Sequence, residues 1–142
     1  MARNDEEEIR TQEIQAVRLG YYVVERSIQV GERELSDQFR WIADNLMPER
    51  MSALTPVERK RVRQEISKRT KELSDVVKAK YIKLHLTPFP CNDQYDECVR
   101  KKKRQKKSTY LCDLALLICL LNSMTPLLAA IAIAAKAGHH LL

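Results

Sequence analysis

The sequence predicts an all-α protein: an N-terminal three-helix amphipathic bundle or extended helical array, followed by a C-terminal helical hairpin or apolar segment. Three observations carry that expectation. Glu, Lys, Arg, Leu and Ala dominate while Gly and Pro number only 3 and 5 and aromatic residues are scarce, which suits helices and starves a β-sandwich of turns and branched strands. Apolar residues recur at three- and four-residue steps through most of the first 85 positions, the spacing of one helix face. The chain then closes on a long uncharged apolar run introduced by lysines and arginines.

The elements follow in order. Asn4 and the acids Asp5 to Glu8 supply a cap and carboxylates for a helix N-terminus, and Ile9, Val17, Tyr21, Val24 and Ile28 form an apolar stripe up to Gly31, giving a helix of about 5–30. Leu35, Phe39, Ile42 and Leu46 advance by 4, 3 and 4 residues and stop at Met47-Pro48, which gives a second helix over about 32–46. Thr55-Pro56-Val57-Glu58 combines a capping threonine, a proline at the first helical position and a glutamate three residues on, so a third helix begins there and runs to about 85. Its stripe is Val62, Ile66, Leu73, Val77, Tyr81 and Leu84.

Thr87-Pro88-Phe89-Pro90 stops helicity. The organisation expected is therefore an amphipathic helical region over 1–86, a Pro-rich break at 87–91, an acidic-to-basic helix and polybasic run over 92–109, and an apolar segment over 110–142 that is membrane-embedded or buried. A chain of 142 residues accommodates one ordinary domain, or a small domain with an appendage.

Charge is polarised along the chain. Residues 1–54 hold 7 basic and 11 acidic side chains, residues 55–107 hold 17 and 7, and the last 35 residues hold only Asp113 and Lys136. The acidic N-terminus lacks the basic start and apolar core of a secretory signal and the arginine-rich, acid-poor make-up of a transit peptide, so N-terminal export by a leader of that kind is not expected.

From Leu114 to Ala135 there are 22 residues without a charge, which at about 1.5 Å per residue reach roughly the thickness of a bilayer core. Leu114, Leu117, Leu121, Leu128, Ile131 and Ile133, with Pro126, are the candidate membrane segment. The basic run before it places the N-terminus in the cytosol by the positive-inside rule, with Tyr110 at the interface and His139, His140 and Leu142 across the membrane. Asn122, Ser123, Thr125 and Pro126 interrupt the segment. Two arrangements accommodate them: one kinked span, or two short helices, about 108–121 and 126–137, buried in a bundle or lying in the interface.

The four cysteines, Cys91, Cys98, Cys112 and Cys119, form two pairs seven residues apart, arranged symmetrically about Gln105. Seven residues is nearly two helical turns, so each pair shares one helix face. A hairpin turning at the basic run sets Cys91 opposite Cys119 and Cys98 opposite Cys112, among the three pairings that four cysteines allow. The design is similar in logic to cysteine-stapled helical hairpins of the twin CX9C kind, with CX6C here. The competing readings are small apolar side chains and free thiols in a reducing cytosol, or acylation of Cys98 and Cys112 beside a membrane. A zinc knuckle would want two to four residues between ligands.

Arg100, Lys101, Lys102, Lys103, Arg104, Lys106 and Lys107 crowd eight positions and are the candidate contacts to anionic lipid or to nucleic-acid phosphate. No zinc finger, aromatic interleaving or recognition motif accompanies them, which disfavours sequence-specific reading of nucleic acid. His85, His139 and His140 are not spaced to partner a nucleophile, and no glycine-rich phosphate loop is present. No catalytic residue, metal or cofactor is expected.

Three classes remain. One is a non-enzymatic, tail-anchored interaction protein at an anionic membrane, with Leu35, Phe39, Trp41 and Ile42 as candidate contacts to a protein partner or a second copy, or packing together. Another is a soluble or exported protein, such as a small toxin or structural subunit, with a stapled C-terminal hairpin in an oxidising compartment. A basic nucleic-acid-binding protein is the third.

Overall fold

A computed structural model describes residues 3–137. Helices account for nearly all of them: α1 (Arg3–Gln29), α2 (Arg33–Leu46), α3 (Pro48–Ala53), α4 (Pro56–Lys83), α5 (Cys91–Arg104) and α6 (Tyr110–Lys136). No strand occurs among the described residues, so the all-α expectation is met. The C-terminal histidines and Leu142 lie outside the described residues.

Helix α1 turns back on α2 through Gly31, whose φ of +84° lies in the left-handed region. The Glu32 N–H donates to the Ser27 carbonyl at 2.8 Å and the Gly31 N–H to the Ile28 carbonyl at 3.1 Å, the paired bonds that satisfy the last carbonyls of a helix ending on a left-handed residue. The same pair recurs after α4, around His85 (φ 58°), and after α5, around Lys106 (φ 55°). There a residue with a β-carbon takes the position that glycine fills most easily.

Close approach holds α1 to α2. A β-carbon built on Gly20 would lie 3.1 Å from that of Ala43, and the buried Ser36 hydroxyl donates to the Val24 carbonyl. The face that α1 buries is Ile9, Glu13, Ala16, Val17, Gly20, Val23, Val24 and Ser27, whereas Tyr21 and Ile28, assigned to the apolar stripe from sequence, are exposed. The inward stripe follows the residues small enough to admit α2, and that shifts it by about one position.

Helix α4 starts as its sequence predicts. The Glu58 N–H donates to the Thr55 hydroxyl, and the Thr55 N–H donates to the Glu58 carboxylate, closing the capping box with Pro56 at the first helical position. The short α3, with Pro48 at its start, falls where a connection was expected.

Helix α6 occupies the centre. It packs on α1, α4 and α5, and its Leu114, Leu117, Leu120, Leu121 and Met124 join Ile9, Phe39, Ile66, Leu73 and Val77 in one hydrophobic core. Ser67 meets Asp113, and Tyr81 meets the Ser123 carbonyl, so α4 and α6 run side by side in the same direction. Helix α5 runs antiparallel to α6.

The two-short-helices arrangement of the C-terminal segment is corrected: α6 is continuous through Pro126. Asn122, Thr125 and Pro126 lie on its exposed stripe, where solvent reaches the groups that a missing proline N–H leaves unbonded. Ser123 turns inward, and its hydroxyl donates to the Cys119 carbonyl four residues back at 2.8 Å.

Candidate functional site

Helices α5 and α6 form a hairpin joined by two disulfides. Cys91 bonds Cys119 and Cys98 bonds Cys112, with Cα–Cα separations of 5.8 and 5.7 Å, inside the range a disulfide spans. This is the symmetric pairing read from the CX6C spacing. Cys91 and Cys112 are fully buried, while Cys98 and Cys119 are half-buried.

The hairpin carries the basic run at its tip. Arg100 to Arg104 form the last turns of α5, where lysines and arginines meet the negative end of the helix dipole, and Lys106 and Lys107 lie in the turn before α6. Of the seven, Lys102 is half-buried and the rest are exposed.

A groove of about 940 Å³ opens between α4 and the start of α6. Arg59, Lys60, Lys68 and Lys71 line it from α4, and Ser108, Thr109 and Tyr110 line it from beyond the tip. Glu72 and Asp75 lie along the same wall. The helix-four cations and the hairpin tip thus border one end of the bundle. A second groove, about 770 Å³, runs along the exposed stripe of α6 past His85, Gln94 and Asn122.

Two interior carboxylates fix this geometry. Glu13 of α1, 3% exposed, accepts two hydrogen bonds from Arg63 of α4, at 3.0 and 3.1 Å, and one from the Tyr110 hydroxyl at 2.8 Å. Arg63 also reaches Glu6 and lies over the Tyr110 ring, 5.4 Å from its centroid. Asp113 of α6 accepts from Ser67 of α4 at 2.6 Å and from the Tyr95 hydroxyl of α5 at 2.9 Å, with the Lys71 ammonium at 3.9 Å. The first cluster ties α1, α4 and α6; the second ties α4, α5 and α6.

Protonation follows from these contacts. Burial works against the charge on Arg63, but hydrogen bonds and charges from Glu13 and Glu6 outweigh it and raise the guanidinium above its ordinary range. Burial also opposes ionisation of Glu6, and Arg63 again prevails, holding that carboxyl below the usual carboxylate range. Lys71 is raised against its desolvation by Tyr95 and Asp113. Burial and the neighbouring Asp113 push the Tyr95 phenol up.

Other candidates from the sequence fall as follows. Leu114, Leu117, Leu121, Leu128 and Ile131 are buried against the other helices, while Pro126 and Ile133 are exposed. Leu35, Phe39 and Ile42 face the chain's own core, and half-buried Trp41 is covered by the Arg69 guanidinium, 3.8 Å from its ring centroid. Among the described residues no cluster of three or more His, Cys, Asp or Glu is arranged to hold a metal ion.

Sequence reasoning missed Glu13, Arg63 and Asp113 as a set. One signal was present: Glu13 stands four residues from both Ile9 and Val17, on the apolar stripe, where a carboxylate needs an internal partner.

No protein-family model, curated protein or solved structure matches this chain.

Proposed function

We propose that this chain is a non-enzymatic binding protein of an oxidising compartment, whose disulfide-stapled hairpin presents a basic tip to anionic lipid surfaces. The observation that carries the reading is the mirrored pairing of the cysteines, Cys91 with Cys119 and Cys98 with Cys112, on either side of Arg100 to Lys107. Such bonds persist where thiols are oxidised. The staple fixes the place of the cations, and each adds about 1 kcal/mol of attraction close to an anionic headgroup layer. The lysines and arginines of α4 widen the same field.

The test uses the full chain purified without reductant. Thiol-specific reagent should label no cysteine until a dithiol is added. The protein should bind phosphatidylcholine vesicles containing phosphatidylserine, lose that binding as salt rises, and lose most of it when Lys101, Lys102, Lys103, Lys106 and Lys107 become Gln. Equal binding to neutral and anionic vesicles would sink the lipid reading; binding to RNA alone, with the same loss in the Gln variant, would move the tip to nucleic acid.

A second reading has its own support. Helix α6, with 27 residues, is long and apolar enough to cross a membrane, although half of its most apolar stretch is buried within the bundle. Resistance of the untreated protein to alkaline carbonate would favour that tail anchor over the soluble bundle.

A further inference from the structure

We infer that α6 is a latent membrane-inserting helix and that the two disulfides are the latch keeping it inside the bundle. The inference rests on the stapled reading above, because it requires both cysteine pairs to be bonded.

Helix α5 is the weak part of the cover. Its sequence, CNDQYDECVRKKKR, contains one aliphatic residue, Val99, and its only buried residue is Cys91. Besides the disulfides, polar side-chain contacts hold it: the Tyr95 hydroxyl on Asp113, Asn92 against Ser74, the Cys91 sulfur 3.5 Å from the Ser123 hydroxyl, and the Lys71 ammonium 5.8 Å from the centroid of the Tyr95 ring, which packs against the core. Helices α1 and α4 differ in kind, since each buries an apolar face against α6. An amphipathic stripe is what keeps most helices docked, and α5 lacks one. Its firmest attachment is covalent.

Reduction therefore releases it. A thiol reductant cleaves each S–S bond by exchange: two electrons and two protons pass to the cysteine pair, two S–H groups form, and the reductant leaves as its own disulfide. Four thiols result. With α5 free, the face of α6 around Cys112, Leu116 and Cys119 loses its polar cover and joins the already exposed stripe, on which Ala115, Ala129 and Ile133 flank Asn122, Thr125 and Pro126.

The partner that fits such a surface is a bilayer. From Leu114 to Ala135 no side chain carries a charge, and 22 helical residues match a hydrocarbon core. The Ser123 hydroxyl is already bonded to a carbonyl of its own helix, which is how a polar side chain is tolerated in lipid. The basic run adjoins the N-terminal end of the segment, where it would remain among anionic headgroups.

The experiment uses the full chain, vesicles of phosphatidylcholine and phosphatidylserine, and alkaline carbonate extraction, with and without dithiothreitol. The oxidised protein should be extracted by carbonate, and reduction should raise the resistant fraction at least tenfold. Ala129→Arg is the control variant: position 129 is exposed in the bundle, so the fold accepts the charge, but it lies within the uncharged segment. This variant should keep its helical circular dichroism and its salt-sensitive adsorption when oxidised, and fail to insert when reduced. Reduced wild type that stays extractable overturns the latch, as does equal insertion of the oxidised form. Resistance of A129R equal to that of wild type shows aggregation and also overturns it. Free thiols in the untreated protein would instead refute the stapled reading, and dithiothreitol would then change nothing.

Discussion

Arg63 and Glu13, 50 residues apart in the chain, meet at 3.0 Å in the interior of the bundle. Removing the cation leaves an almost wholly buried carboxylate with only the Tyr110 hydroxyl. Arg63→Met should therefore destabilise the protein by about 3 kcal/mol or more. Chemical denaturation measures it. Adding Glu13→Gln to the Arg63→Met variant should recover part of the loss, because the stranded charge disappears; a double variant no more stable than R63M would show that the damage is steric.

Stability should fall at both ends of the pH scale, for opposite reasons. Glu6 has a folded pKa depressed by Arg63 after burial has worked the other way, so its contribution is present above the unfolded pKa and disappears as pH falls through the folded one. Tyr21 is raised to about 12, first by its hydrogen bond to Asp44 and then by burial. Its contribution is complete below the unfolded tyrosine pKa of about 10 and is lost as pH climbs from there to about 12. Melting temperature against pH should have a shallower acid slope in Glu6→Gln and a shallower alkaline slope in Tyr21→Phe, the remainder of the latter coming from Tyr81, Tyr95 and Tyr110, which are also raised.

Backbone strain at two helix ends is removable. Lys106 and His85 both occupy left-handed positions, and glycine takes that conformation without the clash of a β-carbon, a difference of about 1 kcal/mol. Lys106→Gly and His85→Gly should each raise the denaturation midpoint. The first should also weaken adsorption to anionic vesicles slightly through the lost charge, whereas the second should leave it unchanged.

Much of this architecture was legible in the residues. The capping box at Thr55 and Glu58 identified the start of α4 because its signal is local, and the mirrored cysteines prefigured their pairing because helix periodicity converts spacing into faces. Pro126 was ambiguous, since a proline ends a helix or is carried within one depending on whether the freed carbonyl is solvated. Helix α3 was missed because six residues show no periodicity. The Glu13–Arg63–Tyr110 cluster was invisible as a set, since its members come together only through the packing of three helices.

Ser27 offers a test of the interior of α1. Its hydroxyl is fully buried and has no hydrogen-bond partner among the described residues. Removing an unsatisfied polar atom relieves its desolvation cost, so Ser27→Ala should stabilise the protein by about 1 kcal/mol. Retention of wild-type stability, measured by urea denaturation, would mean that the hydroxyl is served by water in solution.

Pro126 decides how firmly α6 belongs to the bundle. Proline inside a helix removes one backbone bond and crowds the preceding turn, at a cost of about 3 kcal/mol in an unconstrained helix. Here the residue is exposed, the carbonyl left without a donor is that of exposed Asn122, and the next carbonyl, Ser123, accepts the Tyr81 hydroxyl at 2.6 Å. Pro126→Ala restores the missing N–H without opening a cavity, because the ring packs into no core. The variant should melt at a higher temperature with an unchanged helical spectrum. If Pro126 is instead what aligns Ser123 with Tyr81, P126A will be destabilised. The loss caused by Tyr81→Phe, about 1 kcal/mol in the wild-type background, will then shrink when the two changes are combined, which a double-mutant cycle reads directly.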